Sequence, residues 1–244
     1  MTSNAPTMIK NIDMMKRLNS LMNSQWCFLI LWLALIVGMM IALATIPKHE
    51  LHLALNANTH TLFGDYFFMY FTKVAEYAPY LFVVILLFYR YDWAITAALG
   101  QLGATLTTQI IKHFVNAPRP KTFFEDNYPD LIPQLHWVDG VNMHAWLSFP
   151  SGHTTAFFSM FFLLSLLLTD RYKDSNHRWL LPLIQIACFL FALTGGYSRI
   201  YLSQHFSLDV LAGCIVGVLL TTIFYCTTWQ WNKSWSNKSL IHRQ

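Results

Sequence analysis

The sequence predicts an all-α, polytopic integral membrane protein with six transmembrane helices and a short interfacial helix after the first span. Composition is the first observation behind this prediction. Of the 244 residues, 55% are hydrophobic and only 11% are charged, whereas a soluble domain usually has about 25% charged residues. Segment length is the second observation, because roughly 20 apolar residues in a helix cross the hydrocarbon core of a bilayer. The third is the distribution of basic residues, which predicts the side that each loop occupies.

Six apolar runs have the length and composition of spans. They comprise residues 26–46, 66–89, 93–115, 151–169, 179–197 and 207–229. The first run is longer than the apolar core of a signal peptide, which has about 7–15 residues, so we expect an uncleaved anchor, although its stretch 42–44 (ALA) resembles a signal-peptide cleavage site. In the second run, Lys73 and Glu76 are three residues apart and are expected to pair on one helix face. Pro79 is expected to kink the same helix.

Basic residues predict the orientation of these spans. With six spans, the amino-terminal tail, the loops after the second and fourth spans and the carboxyl-terminal tail share one side, which we assign to the cytoplasm. The basic residues of these segments are Lys10, Lys16, Arg17, Arg90, Arg171, Lys173, Arg178, Lys233, Lys238 and Arg243. We therefore expect one membrane domain, 26–229, between the cytoplasmic tails 1–25 and 230–244.

Shorter segments are predicted to lie at the membrane surfaces. Residues 49–59 are too few and too polar to span, and are typical of an interfacial helix on the outer side. His49 and His52 within it could ligate a metal, but without an apparent third ligand they are better interpreted as interfacial polar residues. The tryptophans of the carboxyl-terminal tail suit the cytoplasmic headgroup zone; they are Trp229, Trp231 and Trp235.

Three polar clusters interrupt the apolar pattern. Residues 112–120 (KHFVNAPRP) end the third span, residues 150–153 (PSGH) begin the fourth, and residues 198–209 (SRIYLSQHFSLD) join the fifth to the sixth. Alternating topology places all three at the outer face. Polar and ionisable groups at a membrane segment indicate a functional site.

The cations of these clusters favour an anionic ligand. Lys112, Arg119 and Arg199 would repel one another, since a pair of unit charges about 4 Å apart interacts by about 4 kcal/mol at an effective dielectric of 20. The guanidinium group of an arginine can donate two parallel hydrogen bonds to phosphate oxygens. Ser151 and Gly152 begin a helix, whose first N–H groups can bind an anion. The pattern predicts a phosphate site.

The histidines supply reactive groups. His205 and Asp209 are one helical turn apart, so the carboxylate can fix the imidazole tautomer and leave the other ring nitrogen as a nucleophile. His153, from another span, can act as general acid toward the leaving oxygen. No metal-ligand cluster is evident, and three cations can stabilise the charge that a metal would otherwise offset. We therefore expect phosphomonoester cleavage with no metal and no cofactor.

These residues resemble a known family. Lys112-x6-Arg119-Pro120, Pro150-Ser151-Gly152-His153 and Ser198-Arg199-x5-His205-x3-Asp209 are similar to the three-part signature of the type-2 phosphatidic-acid phosphatase superfamily. The resemblance implies a metal-independent hydrolase that works through a phosphohistidine, with His205 as nucleophile, Asp209 as its orienter and His153 as the acid. It implies that the phosphoryl oxygens are bound by Lys112, Arg119, Ser151, Gly152 and Arg199.

The resemblance also implies the partners and the location. Membrane members of the family act on lipid phosphates or diphosphates, so we expect membrane lipids and a lipid phosphate as partners and no nucleic acid. Phosphatidylglycerol phosphate, phosphatidic acid, undecaprenyl diphosphate and a lipid A phosphate all stay open as substrates. The expected location is a plasma membrane, above all a bacterial inner membrane, with the site on the periplasmic side.

Other interpretations stay open at this point. The loop 121–148 joins two of the clusters and is either a lid that selects the headgroup or a solvated outer loop. The same residue pattern resembles vanadium haloperoxidases, in which vanadate occupies the phosphate position, although those relatives are soluble. A lipid transporter is a third hypothesis, but its polar groups would lie near the bilayer midplane rather than at one face.

Overall fold

The computed structural model describes residues 5–57, 60–228 and 238–241, with side chains from Met14 onward in the first helix. Within these ranges the chain is helical and contains no strand. Its α-helices are α1 Ala5–Ser24, α2 Trp26–Thr45, α3 Lys48–Asn56, α4 Leu62–Phe71, α5 Val74–Leu87, α6 Tyr91–Val115, α7 Pro120–Asn127, α8 Gly152–Tyr172, α9 Leu181–Tyr201 and α10 Ser207–Thr228. Two 3₁₀ helices lie at Pro129–Gln134 and Arg178–Leu180.

In the described part of the chain, four helices are long and apolar enough to cross a membrane: α2, α8, α9 with its preceding 3₁₀ turn, and α10. The pair α4 and α5 gives a fifth candidate span, bent by 42°. The predicted third span, 93–115, coincides with the 25 residues of α6. Polar side chains such as Gln101 and Gln109 lower the hydropathy of this helix, so the count of six spans stays a prediction.

The bend in the second predicted span does not lie at Pro79, which sits inside α5. It lies at Thr72 and Lys73, between α4 and α5. There the backbone changes to the tighter i to i−3 pattern, with Ala75 N donating to Thr72 O at 3.2 Å and Glu76 N donating to Lys73 O at 3.0 Å. The break turns Thr72 and Glu76 toward the polar end of the bundle.

Helix α8 lies at the centre of the bundle. In its most apolar window 72% of the residues are buried, against 11% for α2, and it packs mainly against α9, α10 and α6. Gly213 and Gly217 of α10 allow the closest approach, since a Cβ there would lie 2.6 Å from Ser151 O and 2.7 Å from Thr155 O. This small-residue contact fixes the amino terminus of α8 against the start of α10.

At the polar end, the loop 121–148 is folded and packed. Helix α7 and the following 3₁₀ turn bury Phe124 and Leu135 against Phe206, and Val138 packs against Tyr201 and Leu202. Because these apolar side chains are buried, the loop is not simply a solvated connection.

Helix α3 closes the same end. It covers Lys48–Asn56, close to the predicted interfacial segment, but Leu51, His52 and Asn56 are buried inside the protein. His52 donates to or accepts from Ser203 at 3.0 Å, while His49 stacks on Tyr128. The two histidines therefore have separate partners.

The opposite end of the bundle gathers basic residues that were assigned to the cytoplasmic side. Lys16, Arg17, Arg90 and Lys173 line a common cavity there, together with Asp92 and Asp170. The predicted amino-terminal tail is largely the helix α1. The tryptophans at 229, 231 and 235 lie outside the described residues, as do the basic positions 233 and 243.

Candidate active site

The three polar clusters meet around one cavity of about 410 Å³. Helix α6 contributes Lys112 near its carboxyl end, and Arg119 directly precedes α7. The predicted site residues that line the cavity are Lys112, Arg119, Gly152, His153, Arg199 and His205. The loop 121–148 contributes Gly140, Val141, Asn142 and His144 to the wall.

His205 lines the cavity and lies against Asp209, which is behind the cavity wall. Its Nδ1 is 3.5 Å from Asp209 Oδ2, and only 2% of its side chain is exposed. The same carboxylate oxygen accepts hydrogen bonds from Ser148 Oγ at 2.5 Å and from the backbone N–H of Phe206 at 2.9 Å. Since Nδ1 faces Asp209 and Ser148, Nε2 is the ring nitrogen left to face a substrate.

Burial keeps the His205 imidazole neutral. It lowers the pKa of His205 to about 3, the cation Arg119 contributes in the same direction, and the hydrogen bond with Asp209 opposes both. A neutral imidazole has a free lone pair, so the residue is in its nucleophilic form at neutral pH.

Two arginines are linked by one neutral side chain, Gln204. Its Oε1 accepts from Arg119 Nη1 at 2.9 Å and from Arg199 Nη2 at 3.2 Å. Its Nε2 donates to Asn142 O at 2.7 Å, which connects both arginines to the loop 121–148. An amide oxygen offsets the repulsion between two guanidinium groups without adding a negative charge to the site.

The other N–H groups of Arg199 and the ammonium group of Lys112 also have defined positions. Arg199 is only 5% exposed, and its Nη1 donates to Thr72 Oγ1 at 2.5 Å. Its Nε is buried without a hydrogen-bond partner among the described residues. Lys112 Nζ donates to Leu147 O at 2.5 Å. Buried donors that still have capacity beside a cavity form a site for an anion such as phosphate.

His153 has an acidic partner that corrects one expectation. Its Nε2 lies 3.2 Å from Glu76 Oε1, so Glu76 pairs with His153 and not with Lys73. Lys73 instead places Nζ 5.2 Å from the centre of the Tyr70 ring. The break before α5 accounts for this, because the ion pair was predicted for a continuous helix.

Ser151 has a structural role in this arrangement. Its hydroxyl caps α8 by accepting from Thr154 Oγ1 at 2.9 Å and from Thr154 N at 3.4 Å, and its own N–H donates to Asp209 O at 2.9 Å. Ser151 is fully buried and does not line the cavity, whereas Gly152 does. Of the predicted pair, Gly152 is therefore the residue placed to offer a first-turn N–H to an anion.

Sequence reasoning missed three residues of the site, which are Thr72, Ser148 and Gln204. It singled out a fourth, Glu76, but favoured an ion pair with Lys73 over a contact with the substrate. A carboxylate in an apolar run was a usable signal for Glu76. Ser148 and Gln204 lie beside motif residues but carry no spacing signal, and nothing in the sequence indicates that Thr72 contacts Arg199.

A second cavity of about 200 Å³ continues from the first between α5, α6 and α8. The two share Glu76, Gln109, Gly152 and His153. The second also reaches Gln101, eight residues before Gln109, which is about 12 Å along a helix. The site thus opens toward the membrane-facing helices as well as toward the loop.

The chain is similar to one protein family and to individual phosphatases. The family model of the PAP2 superfamily matches residues 93–233. A lipid A 4'-phosphatase of Porphyromonas gingivalis is 26% identical over 73% of this chain and 71% of its own length. Phosphatidylglycerophosphatase B of Bacillus subtilis is 28% identical over 54% of this chain and 57% of its own length.

Solved structures show the same fold. The crystal structure of Aquifex aeolicus LpxE is 28% identical with a TM-score of 0.57, and the match covers 72% of this chain and 93% of that one. A transmembrane PAP2-type phosphatidylglycerolphosphate phosphatase from Bacillus subtilis is 18% identical with a TM-score of 0.60 over 86% of this chain and 98% of that one.

Proposed function

The chain belongs to the PAP2 superfamily, and from this premise we propose that it is a membrane lipid phosphatase that hydrolyses a phosphate ester through a phosphohistidine on His205. One observation carries the proposal. A buried, neutral His205 faces a cavity whose wall holds Lys112, Arg119 and Arg199. A nucleophile beside a cluster of cations suits transfer of a phosphoryl group.

The substrate proposed first is a phosphate of the lipid A class. Two lipid A 4'-phosphatases match about 70% of this chain and of their own length, which is longer than the match to phosphatidylglycerophosphatase B. The second cavity supports a lipid, because it extends from the phosphate site along membrane-facing helices. Phosphatidylglycerol phosphate is the second candidate, on the similarity to that relative.

In the first proposed step, His205 Nε2 attacks phosphorus. The bond from phosphorus to the lipid oxygen breaks, and His153 gives its proton to that oxygen. Lys112, Arg119 and Arg199 bind the phosphoryl oxygens as charge shifts onto them. Their guanidinium and ammonium groups are already fixed by protein acceptors, so little reorganisation is needed at the transition state.

In the second step, a water molecule replaces the lipid alcohol. His153, now neutral, takes a proton from the water as its oxygen attacks phosphorus. The nitrogen–phosphorus bond breaks, inorganic phosphate leaves, and His205 returns to its neutral form against Asp209. Glu76 stabilises the protonated form of His153 before the first step and again after the second, because the carboxylate lies 3.2 Å from its Nε2.

The test is release of phosphate by the purified protein in detergent, in EDTA and without added metal. The panel comprises a lipid A phosphate, phosphatidylglycerol phosphate, phosphatidic acid and undecaprenyl diphosphate. We expect turnover with at least one member, and the lipid A phosphate to give the highest kcat/KM. No release from any member contradicts the proposed function, and full loss of activity in EDTA contradicts metal-independent chemistry.

The proposed location is a bacterial inner membrane with the site on the periplasmic side. The basic residues at the opposite end of the bundle support this orientation. Labelling of single cysteines introduced at His113 and at Lys173 in intact cells tests it. An impermeant reagent should modify only the position near the site, and modification of only the other position would reverse the orientation.

A further inference from the structure

A second group of polar side chains lies outside the catalytic cavity, at the same end of the bundle. It consists of His60, which precedes α4, Asp65 of α4, and His136 of the loop 121–148. His60 Nδ1 is 3.1 Å from Asp65 Oδ1, and His136 Nε2 is 3.1 Å from Asp65 Oδ2. None of the three lines the catalytic cavity, so the proposed phosphatase chemistry does not account for them.

Hydrogen bonding within the group leaves one atom unsatisfied. If His60 Nδ1 and His136 Nε2 both donate to Asp65, His60 Nε2 is an unprotonated acceptor. Among the residues that the structure describes, this atom is buried without a hydrogen-bond partner, and the His60 side chain is only 7% exposed. The two imidazole rings lie close together, with centres 3.5 Å apart and planes tilted by 31°.

A bound metal ion would give His60 Nε2 a hydrogen to donate. Bound at Nδ1, a metal would require the proton of His60 to move to Nε2, so the orphaned acceptor becomes a donor. The backbone of Asn56 lies beside this ring. A ligating histidine whose other N–H faces a backbone carbonyl is a common arrangement around protein metals.

The spacing of the ligand atoms suits a small divalent ion. One ligand atom from each of the three residues lies within 4.8 Å of the others. Ligands 2.0–2.1 Å from a tetrahedral zinc are about 3.4 Å apart, so binding would draw the ligand atoms together by up to about 1.4 Å. Two imidazoles and one carboxylate leave the fourth position to water, and the His136 side chain, 36% exposed, borders a route for entry.

We propose that His60, Asp65 and His136 bind a divalent transition-metal ion of the zinc class. The surrounding structure holds the ligands in place. Asn56 Oδ1 accepts from His136 N at 3.0 Å, and Tyr201 OH donates to Asp65 Oδ1 at 2.8 Å. Such outer contacts orient ligands and tune affinity.

The ion would act as a structural cross-link and not as a catalyst. It joins α4 to the loop 121–148 at His136, a few residues before Gly140 and Asn142 in the cavity wall. Tyr201, which contacts Asp65, lies two residues after Arg199 in α9. The ion therefore fixes the loop against the elements that carry the phosphate-binding cations.

The test measures metal directly in the full-length protein, purified without a metal-affinity tag. After dialysis against EDTA, the protein is reloaded with Zn²⁺ or with Co²⁺ as a spectroscopic probe. We expect one Zn²⁺ per chain and the visible absorption of a tetrahedral Co²⁺ site, which Zn²⁺ abolishes. Asp65→Asn and His136→Ala should each weaken Co²⁺ binding by at least about 10-fold, and Tyr201→Phe by roughly 10-fold through the lost outer contact.

The control variant is His113→Ala, at an exposed histidine of α6 whose Nδ1 contacts Gln109 O. It should bind Co²⁺ as the unmodified protein does. Absence of stoichiometric metal in the unmodified protein overturns the proposal, as does a Co²⁺ spectrum unaltered in Asp65→Asn. If a variant does not fold, the Co²⁺ spectrum of the unmodified protein decides alone. Because no readout requires turnover, failure of this site and failure of the proposed function are distinguishable.

Discussion

The hydroxyl of Ser148 donates a hydrogen bond of 2.5 Å to Asp209 Oδ2 and lies 3.4 Å from His205 Nδ1. Ser148 is fully buried, so no solvent competes for this contact. The carboxylate is thus held by Ser148 on one side and by the N–H of Phe206 on another, which directs it toward His205. The His205 imidazole is therefore positioned by a network and not by one carboxylate alone.

Removing the Ser148 hydroxyl should lower kcat more than it changes KM. Loss of one buried hydrogen bond to a charged group costs about 1–3 kcal/mol, so Ser148→Ala should lower kcat by roughly 10–100-fold. Steady-state phosphate release measures this. Ser175→Ala, in an exposed turn, is the control and should behave as the unmodified enzyme. An unaltered kcat in Ser148→Ala would show that Asp209 alone orients the imidazole.

Replacing His205, the proposed nucleophile, should abolish turnover whatever the substrate. His205→Ala should lose at least about 10⁴-fold in kcat, as removal of a nucleophile does in other hydrolases. Rapid acid-free quenching with a ³²P-labelled lipid should find phosphorus on the unmodified protein and none on this variant. A fully active His205→Ala would refute the assignment.

The role of His153 predicts a dependence on the leaving group. A general acid matters most when the leaving oxygen is a poor leaving group, so His153→Ala should lose about 10²–10⁴-fold with a lipid phosphate. With p-nitrophenyl phosphate, whose phenolate leaves without a proton, formation of the phosphoenzyme should fall much less. Equal losses with both substrates would argue that His153 binds phosphate and does not donate a proton.

Glu76 should act through His153, as a positioning residue. Glu76→Gln keeps the shape of the side chain but removes the charge 3.2 Å from His153 Nε2. We expect a fall in kcat of about 10-fold, equivalent to 1.4 kcal/mol, with the lipid substrate, and a smaller fall with p-nitrophenyl phosphate. If Glu76→Gln raises KM alone, the carboxylate instead contacts the substrate.

Gln204 should control affinity for the phosphoryl group. Its Oε1 lies between the guanidinium groups of Arg119 and Arg199. Gln204→Leu removes the acceptor that holds the two guanidinium groups together against their repulsion, so we expect them to move apart; a hydrogen bond to a charged group contributes about 1.5–3 kcal/mol. Competitive inhibition by orthovanadate should therefore weaken by roughly 10–100-fold. Gln109→Leu, at another part of the cavity wall, is the matched control. If it weakens inhibition by orthovanadate equally, the effect comes from making the cavity less polar and not from the contact of Gln204 with the two arginines.

The sequence predicts those site residues whose positions follow from motif spacing, and it does not predict contacts that depend on how the chain bends and folds. Lys112, Arg119, Arg199 and His205 were found because motif spacing and alternating topology both place them at one face. The contacts of Thr72 and Glu76 depend on the bend between α4 and α5, which hydropathy cannot locate because both halves are apolar. His60 and His136 are far apart in sequence, and only the folded loop 121–148 brings both to Asp65.

Acid should destabilise the protein through buried neutral histidines. Burial lowers the pKa of His52 to about 3, and that of His205 to a similar value. An unfolded chain takes up these protons near pH 6.5, so between about pH 6.5 and 3 it binds more protons than the folded chain. Stability is therefore fully present above pH 6.5 and is lost as the pH falls, by up to about 1.4 kcal/mol per pH unit for each such histidine.

His52 allows this linkage to be tested without altering the catalytic residues. It is 1% exposed and contacts Ser203, so His52→Gln keeps a polar contact while removing one titrating group. Thermal unfolding in detergent between pH 7.5 and 4.5 should show a shallower loss of Tm in this variant than in the unmodified protein. His113→Gln, at an exposed position, should leave the slope unaltered. Because the folded state excludes a proton at His52 only if that imidazole stays buried, an unaltered slope in His52→Gln would mean that α3 opens before the bundle unfolds.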